Sequence, residues 1–422
     1  MTLLLIFFIL IINYYIFILF ELPKKFLFVV YFIIGIYLAF IFLNDFNAKS
    51  LGFKEGIFYG KVDKKNKYDD SYNYYKDVIK LKTNIKTKGI INYILLKYKK
   101  DGYYGPYNIF VVLLTLISFI VGSNVIHLLI VKLIFTIFSI YFFVKISNLY
   151  LSEKNTIICM LLFYLFPENI YVNSLLMRDN IILFLVLFSY YLAFFKINLL
   201  KFFFIPLITI SFVLRPYAIV LWLPILYFNL KDLKRNNKNL INLSIFLIIL
   251  LFIPFIWQNI NQLAIADNSW AGSYIYRTKG ILLFLFSLYY FLWSHNISYI
   301  NYCFNVIPDI LTFSSTLLIH IFLFCIPWFY YIVYKKNYFE KFKHLNLFLL
   351  SSFAYIFLYT SIFGGVIPRI YLPYLWANVI IFIFFIQIQY KYIKIYFVFS
   401  LLIFYLISYI KLCKNIFQYL LI

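Results

Sequence analysis

The chain has 422 residues, of which 65% are hydrophobic and 24% aromatic, and its mean hydropathy is +0.91. Soluble domains are only roughly half apolar, so this composition excludes an ordinary soluble protein. The net charge of +23 would suggest a nucleic-acid partner in a soluble protein, but here much of the lysine lies in short loops, where it sets membrane topology.

The predicted elements are apolar helices. Residues 3–20, 26–43 and 311–334 each approach the roughly 20 residues that a helix needs to cross the hydrocarbon core of a bilayer. Segments of this length predict an all-α fold, a polytopic integral membrane bundle of about 11–13 transmembrane helices with a large first external loop.

The same runs divide the chain into three parts. We assign residues 1–43 to N-terminal transmembrane helices and residues 44–107 to an external loop that carries an acidic motif. Residues 108–422 then form the main transmembrane bundle, with a further external loop at about 258–310.

Two short basic loops orient the bundle. They are "KDLKRNNKN" (231–239) and "KKNYFEKFKHLN" (335–346), and the excess of lysine in short loops predicts that both are cytoplasmic. Counting helices outward from them places the 44–107 loop and the start of a helix at 181–195 on the outer side. Most acidic residues then fall on that side, which suggests an extracytoplasmic working face.

The segment "NTIICMLLFYLFPENIYVNS" (155–174) is apolar but contains Pro167. Between residues 154 and 178 the chain is too short for a clean pair of crossings. We therefore expect this segment to dip into the membrane and return, with a break at the proline. Irregular backbone of this kind is tolerated where it lines a protein cavity.

An acidic and aromatic stretch, "KYDDSYNYYKDV" (67–78), lies in the first external loop. Asp69 and Asp70 are candidates for a general base or for ligands of a divalent cation, beside rings such as that of Tyr72 that stack on sugars. The alternative interpretation is a solvated amphipathic helix.

Arg178 and Asp179 stand side by side at the start of an apolar run. The alternative interpretation is structural, with an interfacial arginine and an aspartate that opens a helix. Because the pair lies at the rim of the predicted dipping segment, we favour a functional role. Asp179 is then a candidate catalytic acid or metal ligand, and Arg178 a candidate substrate contact.

Two more arginines lie beside prolines at predicted external breaks. Arg215 occurs in "LRPY", which also contains Tyr217, and Arg369 occurs in "IPRIYLP". Arginine suits phosphate binding because its guanidinium forms two parallel hydrogen bonds. We therefore consider all three residues candidate substrate contacts. The alternative for each arginine is snorkelling to the membrane interface.

The order of these features resembles the GT-C superfamily of polytopic glycosyltransferases, which includes the dolichyl-phosphate-mannose protein mannosyltransferases. The similar features are the first-loop acidic motif, a G-x-N turn, a proline followed by an acid at an outer helix start, and two arginine-proline breaks. In this chain they read "DDSYNYY", "VGSN", "FPENIYVNSLLMRDN", "LRPY" and "PRIYLP". The resemblance runs through most of residues 44–375.

This resemblance implies transfer of a sugar from a polyprenyl-phosphate carrier to a glycan, lipid or protein acceptor. The protein would be a multi-pass protein of the bacterial inner membrane with its active site on the extracytoplasmic face. By position, Asp179 matches the second external acid of the family, and Arg215 and Arg369 match the contacts to the carrier phosphate. A divalent cation is a candidate cofactor.

The first-loop acid is less clearly assigned, because the chain departs from the family pattern. An extra helix precedes the loop, the acidic motif lies well beyond the end of its helix, and no sizeable C-terminal soluble domain follows. The first acid therefore stays open between Asp45, Asp69 and Asp70.

Two rival functions remain. A polysaccharide repeat-unit polymerase also uses polyprenyl-linked sugars and external arginines, but its large loop more often lies in the second half of the chain. A lipid-linked glycan flippase or other transporter should show internal repeats and charges near the bilayer midplane. The sequence places its charges at the outer rim instead, which favours an enzyme.

Overall fold

A computed structural model describes residues 1–50, 56, 70–89, 109–194, 207, 210, 214, 342, 345 and 368–387. The only regular secondary structure in these ranges is α-helix, which confirms the all-α class for the described part of the chain. Three of the helices are long and apolar enough to cross a membrane, by length and composition. The predicted crossing at 311–334 and the predicted loop at 258–310 lie outside the described residues.

The helices of the described part are, in chain order, α1 (Thr2–Leu19), α2 (Lys24–Ser50), α3 (Asp70–Lys88), α4 (Ile109–Val121), α5 (Val125–Ser147), α6 (Glu153–Tyr164), α7 (Pro167–Ser174), α8 (Asp179–Phe194) and α9 (Pro368–Gln387). The three candidate membrane-spanning helices are α1, α2 and α5.

Helix α5 is the centre of the bundle. It packs against α1, α2, α6, α7 and α8, and 72% of its most apolar 18-residue window is buried, against 22% for α1. This difference places α5 in the core and α1 at the periphery. The outer face of α1 exposes large apolar side chains that suit contact with lipid, among them Leu3, Phe7 and Leu19.

Helices α5 and α8 run parallel. Thr136 in the middle of α5 is hydrogen-bonded to Asn180 in the first turn of α8. Further along both helices, the rings of Phe142 and Phe188 stack 4.9 Å apart. We call the end of the bundle at which α5 and α8 begin the proximal end, and the opposite end the distal end. Helix α1 also runs parallel to α5, since Thr2 is hydrogen-bonded to His127 near the proximal end.

Helix α6 runs back from the distal end toward the proximal end. Its first residue, Glu153, forms an ion pair with Lys25 at the start of α2. Its last residue, Tyr164, lies 3.1 Å from the Ser139 hydroxyl in the middle of α5, measured between the two oxygens. The Tyr37 hydroxyl donates to the Tyr164 carbonyl over 2.5 Å, so α2 and α6 lie side by side through their length.

The predicted break at Pro167 is confirmed. Helix α6 ends at Tyr164 and α7 begins at the proline, where the missing N–H costs nothing because the first turn of a helix has no acceptor for it. The predicted return is wrong, because α7 continues toward the proximal end, where its Val172 carbonyl meets Lys132. Helices α6 and α7 therefore run in the same direction along the bundle with a break between them, and α8 runs in the opposite direction.

The segment formed by α6 and α7 is short because it ends inside the bundle. Lys132 is the eighth of the 23 residues of α5, about 10 Å along the axis from Val125 at 1.5 Å per residue. The turn between α7 and α8 therefore lies about 10 Å below the start of α5. The prediction from sequence assumed helices that span the whole membrane, and residues 154–178 are too few for two of those.

Helix α3 covers this end of the bundle by packing on α4. The rings of Tyr74 and Phe110 meet edge to face 4.8 Å apart, and the Lys82 ammonium donates to the Ser118 carbonyl over 2.6 Å. Desolvation at this contact lowers the pKa of Lys82 from its usual value, and the charge of Lys86 acts in the same direction.

The turn between α4 and α5 matches the G-x-N motif of the sequence. Gly122 has a φ of 84°, a conformation that favours glycine, and the Asn124 side chain caps α5 by accepting from the Ile126 N–H over 2.9 Å. The Tyr75 hydroxyl of α3 donates to the carbonyl of Ser123 in the same turn. Helix α3 is thus held at the proximal end by α4 and by the turn between α4 and α5.

We expect opposite ends of the bundle to face opposite sides of the membrane. Lys76 and Lys86 are exposed on α3 at the proximal end, whereas Lys24 and Lys154 are exposed at the distal end. Single cysteines at these positions, with the four native cysteines replaced, should react with a membrane-impermeant thiol reagent from opposite sides. Labelling of all four in intact cells would contradict the arrangement.

Candidate functional site

The turn at residues 175–178 joins α7 to α8. Arg178 is its last residue, and Asp179 follows directly as the first residue of α8. Asp179 is the first residue of α8 and is 1% exposed, while Arg178 is half-buried. A carboxylate in the first turn of a helix interacts favourably with the partial positive charge of the N-terminus. Asp179 is thus a buried acid, so the structure does not leave it as an exposed interfacial residue.

The first-loop acidic motif lies against this turn. The backbone N–H of Leu176 donates to the Ser71 hydroxyl over 3.0 Å, a contact between residues 105 apart in sequence. Ser71 follows Asp70, the first residue of α3, and Leu176 precedes Asp179 by three residues. The fold therefore brings the backbone of both acidic stretches to one place.

The parts of this motif differ in how far the structure describes them. Tyr72 is half-buried in the first turn of α3. Asp69 and the side chain of Asp70 lie outside the described residues. Asp45, the alternative first acid, lies near the end of α2 and forms an ion pair of 2.7 Å with Lys49.

Arg178 connects the turn to the predicted "LRPY" break. Its Nη1 donates to the carbonyl of Leu214 over 2.6 Å. Its Nε is buried and has no hydrogen-bond partner among the described residues. Arg215 and Tyr217 lie outside the described residues, but the chain reaches Arg178 at the residue just before Arg215.

Helix α9 carries the last predicted arginine. Arg369 lies in its first turn, and its side chain is outside the described part of the structure. The helix packs against α6, α7 and α8, and the ring of the buried Trp376 meets that of Tyr190 edge to face at 5.0 Å. Helix α9 therefore borders the same helices that form the turn.

Lys132 is the residue that the sequence predictions missed. It is fully buried, and its ammonium donates to the carbonyl of Val172 over 2.7 Å, to that of Leu175, and to that of Met177 over 3.4 Å. It also interacts electrostatically with Asp179. A signal was available, because an ionisable residue inside an apolar span is costly and marks a functional position by default.

A buried polar cluster continues from the turn into the bundle. The Asn180 amide donates to Thr136 and to Asn173 over 3.4 Å each, Thr136 donates to Asn173, and the Asn173 amide donates to the Asn169 carbonyl over 2.8 Å. Buried polar networks of this kind hold neighbouring elements in one arrangement. The cluster thereby fixes α5, α7 and α8 to one another beneath Asp179.

The arrangement offers acid chemistry next to cationic groups. A buried carboxylate, a half-buried guanidinium and the starts of two helices, α3 and α8, lie at the proximal end. Helix starts and arginine favour anions such as phosphate, and a carboxylate can accept a proton. Across the described ranges, no group of three or more histidine, cysteine, aspartate or glutamate residues is placed to hold a metal ion.

Comparison with protein-family models, curated proteins and solved structures finds no match to this chain. Function is therefore inferred from the residues and geometry of the site itself.

Loss of the Ser71 hydroxyl should loosen the junction of α3 with the turn. The Ser71→Ala variant leaves the Leu176 N–H buried without its acceptor, at a cost of about 1–3 kcal/mol. We expect a lower unfolding temperature for the purified protein in detergent. Thr83→Ala is the matched control, because Thr83 is exposed on α3 and bonds only within its own helix. Equal unfolding temperatures for the two variants would contradict this role for Ser71.

Proposed function

We propose that the chain is a membrane glycosyltransferase of the GT-C type. It moves a sugar from a polyprenyl-phosphate carrier to an extracytoplasmic glycan, lipid or protein acceptor. The observation that carries the proposal is the Ser71–Leu176 hydrogen bond, because it joins the two acidic stretches beside Arg178 at one end of an apolar bundle.

The proposed reaction needs a base and an anion site. An acceptor hydroxyl attacks the anomeric carbon of the sugar, its oxygen–carbon bond forms, and the bond from that carbon to the phosphate oxygen breaks. The hydroxyl proton passes to a carboxylate, and polyprenyl phosphate leaves with the bonding electron pair. Asp69 or Asp70 serves as the general base and Asp179 as the second acid, which orients the reacting groups.

The arginines hold the carrier phosphate in this scheme. Arg178 lies at the turn, and its hydrogen bond to Leu214 supports a position for Arg215 next to it. Arg369 begins α9, which packs on α8. Guanidinium groups bind phosphate through paired, charge-assisted hydrogen bonds and stabilise the negative charge that develops on the leaving group. Tyr72 and Tyr217 are proposed to contact the sugar.

The proposed orientation places the proximal end outside the cytoplasmic membrane of a bacterium, in a multi-pass protein. The helix ends at the distal end support it, because they carry Lys24, Lys25, Lys145 and Lys154, and lysines at and near short loops favour the cytoplasmic side. The lysines of α3 do not oppose it, since they belong to a long loop, and long loops translocate largely regardless of charge.

A transporter is the second candidate, and Lys132 is the observation that favours it. Charges inside the membrane often mark the path of a substrate or an ion. The Lys132 ammonium is engaged by three carbonyls of a single turn, however, which indicates a fixed group. A polysaccharide polymerase would share the donor and differ in making products of many repeat lengths.

Removing the acids should abolish transfer without loss of the protein. We expect Asp179→Asn, and separately the combined change of Asp69 and Asp70 to Asn, to lower transfer about 10²–10⁴-fold, the usual contribution of general acid–base catalysis. The measurement is mass spectrometry of envelope glycans and glycolipids in a deletion strain that carries each variant at normal membrane abundance. Glu153→Gln is the control, because Glu153 is an exposed acid at the distal end. Normal glycans in both acid variants would refute the proposal.

Arg178 should contribute to carrier binding. With the purified protein and a fluorescent polyprenyl phosphate, we expect Arg178→Gln to raise the Kd about 10- to 100-fold, as for the loss of one hydrogen bond to a charged group. Arg178→Lys should lie in between, since it keeps the charge and loses the paired geometry. Lys154→Gln at the distal end should bind like the unchanged protein. Equal affinity for the glutamine variant would remove Arg178 from the phosphate site.

A further inference from the structure

Lys132 is an ammonium group in an apolar environment, and the described structure accounts for its presence. A charge in the interior of a helix bundle is tolerated only when it is paired or fully hydrogen-bonded. An ammonium has three donors, and the carbonyls of Val172, Leu175 and Met177 take one each. The group is therefore satisfied by one short segment of chain.

The three acceptors are carbonyls at the end of α7 and just after it, and the Leu175 carbonyl also accepts from the Met177 N–H over 2.8 Å. Val172 lies in the last turn of α7, and Leu175 and Met177 lie in the segment that follows it. The last four carbonyls of a helix have no intrahelical donor, and they carry the partial negative charge of the helix terminus. Inside a bundle such carbonyls need a donor from elsewhere, because water does not reach them. Lys132 supplies that donor from α5.

We propose that Lys132 is a positioning residue, whose contact with the end of α7 fixes the α7–α8 turn so that Arg178 and Asp179 stand beside the start of α3. This inference rests on the proposed function for the role of the site, but its structural content can be tested without any assay of transfer. The same turn is also held by Ser71, which accepts from the Leu176 N–H, and by Arg178, which donates to the Leu214 carbonyl.

The electrostatic interaction of Lys132 with Asp179 also holds the turn. The carboxylate begins α8 two residues after Met177, and it interacts electrostatically with the ammonium below the turn. The attraction between the ammonium and the carboxylate opposes movement of Asp179 away from the turn. Lys132 therefore acts on the acid through both backbone position and charge.

The test measures the distance between α3 and the turn directly. Cysteines at positions 71 and 176, with the four native cysteines replaced, should be joined by a short bifunctional thiosulfonate, because the Ser71 hydroxyl and the Leu176 nitrogen lie 3.0 Å apart. We expect Lys132→Met, which has a similar shape and no donor, to slow this cross-linking by at least about tenfold, because it removes three hydrogen bonds and the loss of one bond to a charged group has about that effect. Lys132→Arg, which keeps charge and donors, should restore a substantial part of the rate.

Two controls separate positioning from general folding. Lys145→Met changes a lysine of the same helix at the distal end and should leave the 71–176 rate unchanged. A second cysteine pair at positions 25 and 153, which carry the distal ion pair, should be cross-linked equally in the unchanged protein and in Lys132→Met. Loss of both cross-links would make Lys132 a general folding determinant and would overturn the proposal, as would an unchanged 71–176 rate.

If Lys132→Met does not accumulate in the membrane, Lys132→Gln takes its place, because it keeps an amide donor and loses the charge. Failure of both variants to accumulate, with normal amounts of Lys145→Met, would also assign Lys132 to folding and overturn the positioning role. The proposed function fails separately, when Asp179→Asn leaves the envelope glycans unchanged although the cross-link depends on Lys132.

Discussion

The α7–α8 turn lies inside the bundle, where the Lys132 ammonium donates to three of the carbonyls at the end of α7 and in the turn. Within an apolar environment every backbone polar group needs a partner, and a turn that stops about 10 Å below the start of α5 exposes carbonyls that no helix can pair. Lys132 provides three donors for Val172, Leu175 and Met177. Without such a donor, we expect the turn to lie nearer the end of the bundle, with α8 beginning closer to the level at which α5 begins.

The depth of the turn determines what can surround it. Because α8 begins below the start of α5, there is room for α3 to lie over the turn, and Ser71 reaches Leu176. The polar cluster of Thr136, Asn173 and Asn180 lies on the bundle side of the turn. It fixes Asn180, the residue next to Asp179 in α8. A carboxylate held in this way is preorganised, which is what acid–base chemistry requires of its catalytic groups.

Helix α3 is amphipathic, and it also lies beside the candidate site. The solvated amphipathic helix is present, because Lys76, Lys80 and Lys86 are exposed on one face. The opposite face is buried on the bundle through Tyr74 and Val78. Its first turn meets the α7–α8 turn at Leu176, so a helix that looks like a solvated loop element also borders the candidate site.

Composition and local pattern alone determined the helical class, the apolar spans α1, α2 and α5, the break at Pro167 and the glycine turn before α5, because these depend on neighbouring residues only. The tertiary structure alone decided that α6 and α7 run in the same direction along the bundle and that the backbones of the acidic stretches meet. It also assigned Lys132 its role. These outcomes depend on contacts such as Ser71–Leu176, between residues 105 apart, and no local pattern encodes which distant carbonyls a buried ammonium will find.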